Sequence, residues 1–259
     1  MQSTKPSSKR IDLSIIIPAY NEAEILPATI ASLNGWLGSH HYGEVEVLVI
    51  AQSGDLAELA GKQTLPAAAN YRVINLHTRA GKGGAVRVGM FEAHGKYRLF
   101  MDCDLATPLN HLDEVAQFMA RGGQVTIAVR NLARTHHGAR KLISGFGNLL
   151  TKLLIAPSIS DTQCGFKVFG EAEAIEIFGR QSLTGWAFDM EIIFIARKLG
   201  YKIETFPVND WYDPKPTGLV GDSALKAAIA SVRDLLRIRL RSLRGGYRMP
   251  SFVYHPTKS

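Results

Sequence analysis

The chain has 259 residues, of which 46% are hydrophobic and 20% are charged. These values are close to the averages for folded soluble domains, so the chain can bury a sizeable core in one large domain or two small ones. A membrane-spanning helix needs roughly 18–20 consecutive apolar residues. The most apolar segment, residues 149–157, is interrupted by Thr151 and Lys152. We therefore expect no spanning helix.

The net charge of +7 suggests an anionic partner, and its distribution indicates where that partner binds. Residues 226–248 contain seven basic residues and one acidic residue, Asp234, whereas the rest of the chain is nearly neutral. Residues 1–10 are basic and lack the apolar run of a secretory signal. We expect a disordered basic tail there and no export.

Short apolar runs alternate with helical patterns along the first hundred residues. Residues 13–18 (LSIIIP) are rich in β-branched side chains, which is typical of a strand buried on both faces in a parallel sheet. We expect further strands at 45–50, 73–76 and 97–101. An amphipathic stretch follows Asn21 through Leu33, and a helix is expected at 84–94. This alternation predicts an α/β fold with a mostly parallel sheet flanked by helices and ligands at the carboxyl ends of the strands.

The pattern changes after Arg130. Residues 130–160 combine a basic loop with a helical stretch that has a broad leucine-rich face, and we expect an insertion over the sheet. The patterns then predict a helix at 189–199, a strand at 202–208 and a last long helix at 222–244.

The last helix carries one apolar stripe, because its apolar residues recur at steps of three and four. The stripe consists of Leu225, Ile229, Val232, Leu236, Leu240 and Leu243. Two interpretations remain open. The helix either packs on the domain with its charges in solvent, or lies at an anionic membrane surface beside residues 142–154.

Two carboxylates, Asp102 and Asp104, directly follow the expected strand at 97–101. Alternate residues of an extended chain point to the same side, so this pair can chelate a hard divalent cation. Such an ion would neutralise a nucleotide diphosphate leaving group. A solvated strand end is the alternative, since two aspartates at this spacing often occur by chance.

A glycine-rich segment, residues 79–84, precedes the helix expected at 84–94. Its exposed backbone N–H groups and Lys82 could hold a phosphate group. The segment does not match a Walker A loop, because Leu76 replaces the first glycine and Gly83 replaces the Ser or Thr after the lysine. A turn without a ligand is the alternative.

Five segments of the sequence together resemble one enzyme family. They are SIIIPAYNE (14–22), GKGGAVRVGM (81–90), LFMDCDLATP (99–108), SDTQCGFKVF (160–169) and WAFDMEIIFIA (186–196). In order and spacing they resemble the dolichyl-phosphate glucosyltransferases of glycosyltransferase family 2. The resemblance runs from about residue 13 to residue 240. It implies a Rossmann-like GT-A fold, Mg²⁺ or Mn²⁺, and inversion at the anomeric carbon.

The resemblance also implies the reaction. A hexose, with glucose favoured, would pass from a nucleotide-sugar, with a UDP-sugar favoured, to a polyprenyl or dolichyl phosphate. We assign residues 11–221 to the GT-A domain, 222–248 to the basic amphipathic helix and 249–259 to a tail. We expect an anionic membrane surface as a further partner and no nucleic acid. Cys103 and Cys164 fit reduced thiols, which favours a cytosolic compartment. Together with the implied lipid acceptor and the basic last helix, this leads us to expect a cytoplasmic enzyme, peripheral on the cytoplasmic face of a membrane.

Individual roles are carried over by position. The residues matched to donor binding are Pro18, Tyr20, Asn21, Glu22, Lys82 and Asp102. Asp102 and Asp104 match the metal-binding pair. Arg130, Arg140 and Ser144 fall where the related dolichyl-phosphate mannose synthases hold the acceptor phosphate, with a solvated loop as the alternative. Trp186 and Phe188 are interpreted as packing residues in preference to sugar-stacking ones.

Asp161 and Asp189 are the remaining candidates for a catalytic carboxylate. A phosphate monoester has a second pKa of about 6, so it is already an anion at neutral pH and needs positioning more than a base. An alcohol acceptor would instead need a base, and either aspartate could serve. The alternatives are a structural salt bridge for Asp161 and a helix cap for Asp189.

The sequence departs from the family pattern in two places. The family usually has two aspartates after the second strand, of which the first recognises the base, but this chain has Ala51 and Gln52. Gln52 could pair with a base edge, or Asp55 could substitute for the aspartate. The family's Trp-His-Glu run is replaced by residues 210–213 (DWYD). Two alternatives therefore stay open: a family 2 enzyme with a soluble or glycan hydroxyl acceptor, and an inactive nucleotide-sugar-binding or membrane-binding module.

Overall fold

The computed structural model describes residues 10–131, 155–212 and 222–249, with side chains described from residue 229 onward in the last range. These residues form seven strands: β1 (Leu13–Ala19), β2 (Val45–Ala51), β3 (Asn70–Asn75), β4 (Tyr97–Met101), β5 (Val125–Arg130), β6 (Phe166–Gly170) and β7 (Ile203–Val208). Their helices are α1 (Leu26–Ser39), α2 (Gly54–Gly61), α3 (Gly81–Glu92), α4 (Leu112–Ala120), α5 (Glu171–Arg180), α6 (Phe188–Lys198) and α7 (Asp222–Leu243). A 3₁₀ turn, Leu109–His111, precedes α4.

The strands form one sheet in the order β3-β2-β1-β4-β6-β5-β7. All neighbouring strands run parallel except at β6, which is antiparallel to both β4 and β5. The strand order reverses direction at β1, since β2 lies on one side of it and β4 on the other. In open α/β sheets the crevice at such a reversal is where ligands bind. The expected α/β class with a mostly parallel sheet is confirmed.

Helices cover both faces of the sheet, and this explains the continuous apolar run of β1. Ile15 and Ile17 pack with α1, α2 and α4 on one face, whereas Ile16 packs with α3, α5, α6 and α7 on the other. All three side chains are fully buried. Each fully buried isoleucine contributes about 1.5–3 kcal/mol of transfer free energy.

The bounds of the strands and helices show which of them the sequence patterns predict correctly. The strands expected at 13–18, 45–50, 97–101 and 202–208 are present within one residue at each end. The third strand begins at Asn70, three residues before the expected start, and α3 begins at Gly81 instead of Gly84. The helices α2, α4 and α5 and the strands β5 and β6 were not anticipated. Most of the expected insertion lies outside the described residues.

The last helix packs on the domain through a face other than the predicted stripe. Leu235 and Ile238 are buried against the sheet-covering helices, and Tyr247 beyond the helix is buried with them. The stripe residues Leu236 and Leu240 are exposed instead. Among the described residues, no helix combines the length and the apolar character needed to cross a bilayer.

Candidate active site

The ends of β1, β2 and β4 bring the predicted donor-binding residues to one edge of the sheet. Pro18 is buried within β1, and Tyr20 lies exposed just after the strand. Asn21 has a φ of 57°, a left-handed conformation that asparagine tolerates better than most residues. The chain therefore turns sharply here, and the Glu22 carboxylate accepts a hydrogen bond from the Tyr20 backbone N–H at 3.2 Å. The guanidinium of Arg79 lies 4.5 Å from the centre of the Tyr20 ring.

Three carboxylates, those of Glu22, Asp102 and Asp104, crowd this edge. Burial is the largest of the effects that together raise the pKa of Glu22 to about 7. A hydrogen bond from the Tyr20 backbone lowers this pKa, and the charges of Asp102 and Asp104 raise it. Burial also raises the pKa of Asp104, and the charge of Asp102 adds to this effect. Like charges in a partly desolvated site favour the binding of a cation.

Lys82 places a positive charge among these carboxylates. Its Nζ lies 2.6 Å from Oδ1 of Asp102, and it extends from the first turn of α3. Burial by itself lowers the pKa of Lys82, but the charges of Asp102 and Asp189 outweigh burial and raise the pKa above its ordinary value. Lys82 is therefore a fixed cation at the site.

The interpretation of Trp186 as a packing residue is wrong. Its side chain is 74% exposed, and the Nζ of Lys82 lies 5.0 Å from the centre of its ring. Phe188, two residues later, is fully buried as expected. The site thus has an exposed aromatic face beside its lysine.

Two backbone N–H groups of the glycine-rich segment already have a partner within the protein. The N–H groups of Gly83 and Gly84 both donate to the carbonyl of Thr184, at 2.8 and 3.3 Å. Gly81 has a φ of 72°, and a Cβ atom at Gly83 would lie 2.5 Å from Cβ of Phe188. The glycines therefore allow α3 to pack closely against the segment before α6, and Lys82 reaches the carboxylates through its contact with Asp102.

Gly165 makes room for Asp102, a role that the sequence did not reveal. A Cβ atom at Gly165 would lie 1.9 Å from Oδ2 of Asp102. The carbonyl of Gly165 also accepts a hydrogen bond from the Asp102 backbone N–H at 3.0 Å. The only available signal was the position of this glycine within residues 160–169, one of the family-like segments.

Asp161 and Arg130 form a closed ion pair. Nε and Nη2 of Arg130 donate to the two carboxylate oxygens at 2.6 and 3.0 Å, and the backbone N–H groups of Arg130 and Gln163 donate as well. Burial alone would raise the pKa of Asp161, but the hydrogen bonds and charge of Arg130 hold it below its usual range. The guanidinium also lies 5.1 Å from the centre of the Trp211 ring. This geometry corresponds to the salt-bridge alternative for Asp161.

Asp189 forms a second buried ion pair, with Lys167 of β6. Both side chains are almost completely buried, and Lys167 donates to Oδ1 of Asp189 and, at 2.5 Å, to the carbonyl of Cys164. Burial raises the pKa of Asp189, against the opposing charges of Lys167 and Lys82. No local pattern marks Lys167 as the partner of Asp189, although Lys167 lies inside a family-like segment.

Gln52 is buried and braces the chain before α3. Its side-chain Oε1 accepts a hydrogen bond from the Ala80 backbone N–H at 3.0 Å, and the Gln52 backbone N–H donates to the carbonyl of Ala19 at 3.2 Å. The side-chain oxygen of Gln52 is therefore already in use, which limits its pairing with a base edge. Asp55, the other candidate, is exposed in the first turn of α2. Base recognition by either residue stays a prediction.

Residues of the DWYD run lie against the loop that follows Asp104. The hydroxyl of Tyr212 donates to the Asp104 carbonyl at 3.3 Å, and its N–H donates to the Ala106 carbonyl at 3.2 Å. Asp210 pairs with His111 at 2.7 Å. Leu105, between these anchors, has a φ of 53°, a strained value for leucine and of the kind often found near functional sites.

Asp102 and Asp104 fit a magnesium or manganese ion that takes its other ligands from phosphate and water. In the part of the chain that the structure describes, no group of three or more His, Cys, Asp or Glu side chains could hold a metal ion. Mg²⁺ is usually bound by one or two carboxylates together with substrate phosphates, so two aspartates suffice. Of the predicted acceptor residues, Arg140 and Ser144 lie outside the described residues.

Comparisons with known proteins agree with this geometry. The chain is 32% identical to a dolichyl-phosphate beta-glucosyltransferase of Drosophila melanogaster, over 94% of the chain and 79% of that protein. Two crystal structures share its fold at lower identity. One is mannosyl-3-phosphoglycerate synthase from Rubrobacter xylanophilus, with a TM-score of 0.64, 17% identity, and coverage of 93% of this chain and 77% of that one.

The other crystal structure is glucosyl-3-phosphoglycerate synthase from Mycobacterium tuberculosis in complex with Mn²⁺, uridine-diphosphate and phosphoglyceric acid. It gives a TM-score of 0.57 at 19% identity, covering 87% of this chain and 78% of that one. Both are glycosyltransferases with the expected GT-A fold. The family model for glycosyl transferase family 2 matches residues 14–176. The chain therefore belongs to glycosyl transferase family 2.

Proposed function

We propose that the protein transfers glucose from UDP-glucose to a polyprenyl phosphate of the dolichyl type. In this reaction the bond between the anomeric carbon and the nucleoside diphosphate breaks, and a bond from that carbon to a phosphate oxygen of the acceptor forms. The nucleoside diphosphate leaves with the bonding electrons. The similarity to a dolichyl-phosphate beta-glucosyltransferase over most of both chains supports this choice of substrates.

One structural observation carries the choice of a phosphate acceptor. Both candidate bases, Asp161 and Asp189, are buried and paired with a cation. A hydroxyl acceptor requires a base that can reach its proton, whereas a phosphate monoester is already ionised at neutral pH. Two closed ion pairs therefore suit an acceptor that needs positioning and no deprotonation.

The donor would bind at the edge formed by β1, β2 and β4. Asp102 and Asp104 would hold Mg²⁺ or Mn²⁺, and Lys82 would contact the diphosphate. The bound ion would supply a counter-charge to the diphosphate as it leaves. The Mycobacterium tuberculosis neighbour, crystallised with Mn²⁺ and uridine-diphosphate, supports this arrangement by analogy of fold.

The acceptor phosphate would be held by Arg140 and Ser144. Arg130 is a weaker candidate, because two of its three guanidinium nitrogens already bond Asp161. A lipid phosphate also implies work at a membrane surface, and we propose a peripheral position on the cytoplasmic face. Loss of the Arg140 charge should raise KM for the lipid phosphate far more than KM for the sugar nucleotide.

The decisive assay measures lipid-extractable sugar. Purified protein is incubated with a panel of UDP- and GDP-sugars, Mg²⁺ or Mn²⁺, and a short-chain polyprenyl phosphate that dissolves in dilute detergent. We expect transfer from UDP-glucose to the phosphate and none to the matching polyprenol. Transfer to the alcohol or to a free sugar would favour a hydroxyl acceptor, and absence of transfer with tight nucleotide-sugar binding would favour an inactive module.

A further inference from the structure

Helix α7 presents an apolar stripe to solvent. Ile229 and Leu243 are 60% and 80% exposed, and Leu236 and Leu240 are each 50% exposed. Met249, beyond the helix, is 75% exposed. A run of large apolar side chains at steps of seven, four and three along one helix face is an unusual surface for a folded protein and marks an interaction site.

The opposite side of the same helix is firmly attached to the domain. Leu235 and Ile238 are each 1% exposed, and their burial fixes the rotation of the helix about its axis. The hydroxyl of Tyr247 donates to the buried Glu191 of α6 at 2.7 Å, and Nε of Arg180 donates to the Tyr247 carbonyl at 3.2 Å. The stripe is thus held outward by packing and is not merely the free face of a detached helix.

Arginines line the exposed stripe. Arg233, Arg237 and Arg244 are exposed beside it, and Arg248 is exposed beyond the helix end. Asp234 pairs with Arg237 at 3.1 Å and approaches Arg233 at 3.7 Å, so it offsets only part of this charge. The surface therefore combines an apolar centre with a strongly positive margin.

We propose that the exposed face of α7 docks on an anionic lipid surface, with the leucines in the acyl boundary and the arginines at the head groups. The positive charge of this surface favours anionic lipid over a second copy of the chain as its partner. A second copy of the chain would bring like-charged arginines together across a two-fold interface, whereas anionic lipid neutralises them. This inference rests on the proposed function, because the contact with lipid would bring the active site to a lipid-borne phosphate.

The test is co-sedimentation of the full chain with vesicles of phosphatidylcholine alone or mixed with phosphatidylserine, at low and high salt and without any acceptor. We compare wild type with Leu236→Ser/Leu240→Ser/Leu243→Ser and with Arg237→Gln/Arg244→Gln. The leucine variant should bind mixed vesicles roughly tenfold or more weakly, because three exposed apolar side chains are lost. The arginine variant should lose several-fold in binding and most of the salt dependence.

Two matched controls change similar side chains elsewhere on the surface. Ile175→Ser removes a 40% exposed apolar residue from α5, and Lys198→Gln removes an exposed charge from the end of α6. Both should bind vesicles as wild type does. All variants should keep the wild-type circular dichroism spectrum and the same activity on the short-chain acceptor in detergent, while the leucine variant loses activity on an acceptor embedded in vesicles.

Vesicle binding that is unchanged in the leucine variant would overturn the inference. A salt-independent dimer that the leucine substitutions dissolve, without binding of wild type to vesicles, would overturn it in favour of a second copy. Expected vesicle binding with no transfer to the detergent-dissolved acceptor would leave the inference standing and reject the proposed function instead. The two failures are therefore distinguishable.

Discussion

Two regions of this molecule each pair an aspartate with a basic side chain, but the two pairs differ in their exposure to solvent. At the end of β4, Lys82 and Asp102 pair at 2.6 Å beside Glu22 and Asp104, and the Asp102 side chain is 31% exposed. At the end of β5, Arg130 and Asp161 also pair at 2.6 Å, but the Asp161 side chain is only 3% exposed and accepts further backbone hydrogen bonds. The pair of Lys82 and Asp102, the open pair, is accessible to a ligand. The pair of Arg130 and Asp161, the closed pair, is covered, and its carboxylate already accepts four hydrogen bonds. The two carboxylates therefore differ in accessibility and not in residue type.

The largest expected effect comes from removing charge at the open pair. Asp102→Asn should lower kcat for sugar transfer by orders of magnitude, because the amide cannot hold a divalent ion as the carboxylate does. Excess EDTA should abolish transfer by the wild type. Initial-rate assays with a Mg²⁺ or Mn²⁺ titration measure both effects, and Glu58→Gln, at an exposed acid of α2, serves as the control. Full activity in EDTA would contradict the proposed metal dependence.

The position of the open pair can be disturbed without changing any charge. Gly165→Ala places a methyl group where Oδ2 of Asp102 lies, so the carboxylate must move. Displacement of a catalytic group by about 1 Å can cost about 10²-fold in rate, and we expect a loss of this order in kcat with little change in thermal stability. Gly35→Ala is the matched control, since a Cβ there meets nothing within 4 Å. Equal rates for the two variants would show that Asp102 tolerates the shift.

Breaking the closed pair should lower the free energy of unfolding, and this loss of stability is its main expected effect. Arg130→Met leaves the buried Asp161 carboxylate without its partner, which typically costs about 3–5 kcal/mol. The exposed pair of Arg121 and Glu204 provides the control, and Arg121→Met should cost only about 0–1 kcal/mol. Urea denaturation of both variants measures the difference. Similar losses for the two variants would remove the distinction between the regions.

The closed pair also predicts an acid-sensitive stability. Because the folded state holds the pKa of Asp161 below its usual value, ionised Asp161 stabilises the fold fully above the unfolded pKa of about 4. This contribution is lost as the pH falls through the lower folded pKa. Arg130→Met should therefore show a smaller loss of stability than wild type between pH 5 and 2, measured by urea denaturation at each pH. A parallel loss in both proteins would assign acid sensitivity to other groups.

The sequence located the carboxylates of the open pair better than it located the partners of the buried carboxylates. The reason is that a short stretch of sequence identifies the former, whereas the latter depend on contacts between distant segments. Asp102 and Asp104 are separated by one residue and directly follow an apolar strand, so both the strand and its carboxylates could be identified. Lys167 could not be paired with Asp189, because their contact depends on the antiparallel placement of β6 beside β4. No local pattern encodes that placement. The partner of the Gly83 and Gly84 backbone N–H groups could not be identified for the same reason, since it is the carbonyl of Thr184, a hundred residues away.

The smallest expected effect concerns the two tryptophans that lie near the two ion pairs. Trp186 is exposed near Lys82, whereas Trp211 is partly buried near Arg130. If the open region binds the donor, the Trp186 ring is free to stack on it, and Trp186→Ala should raise KM for the sugar nucleotide roughly fivefold, which corresponds to about 1 kcal/mol. Its stability should change by less than about 0.5 kcal/mol, as is usual for a surface substitution.

Trp211→Ala should do the reverse, with lower stability and an unchanged KM for the donor. Trp186→Phe should restore most of the affinity, because it retains an aromatic face. Steady-state kinetics and urea denaturation of the three variants test the contrast, and a Trp186→Ala enzyme with wild-type KM would show that the exposed ring does not contact the donor.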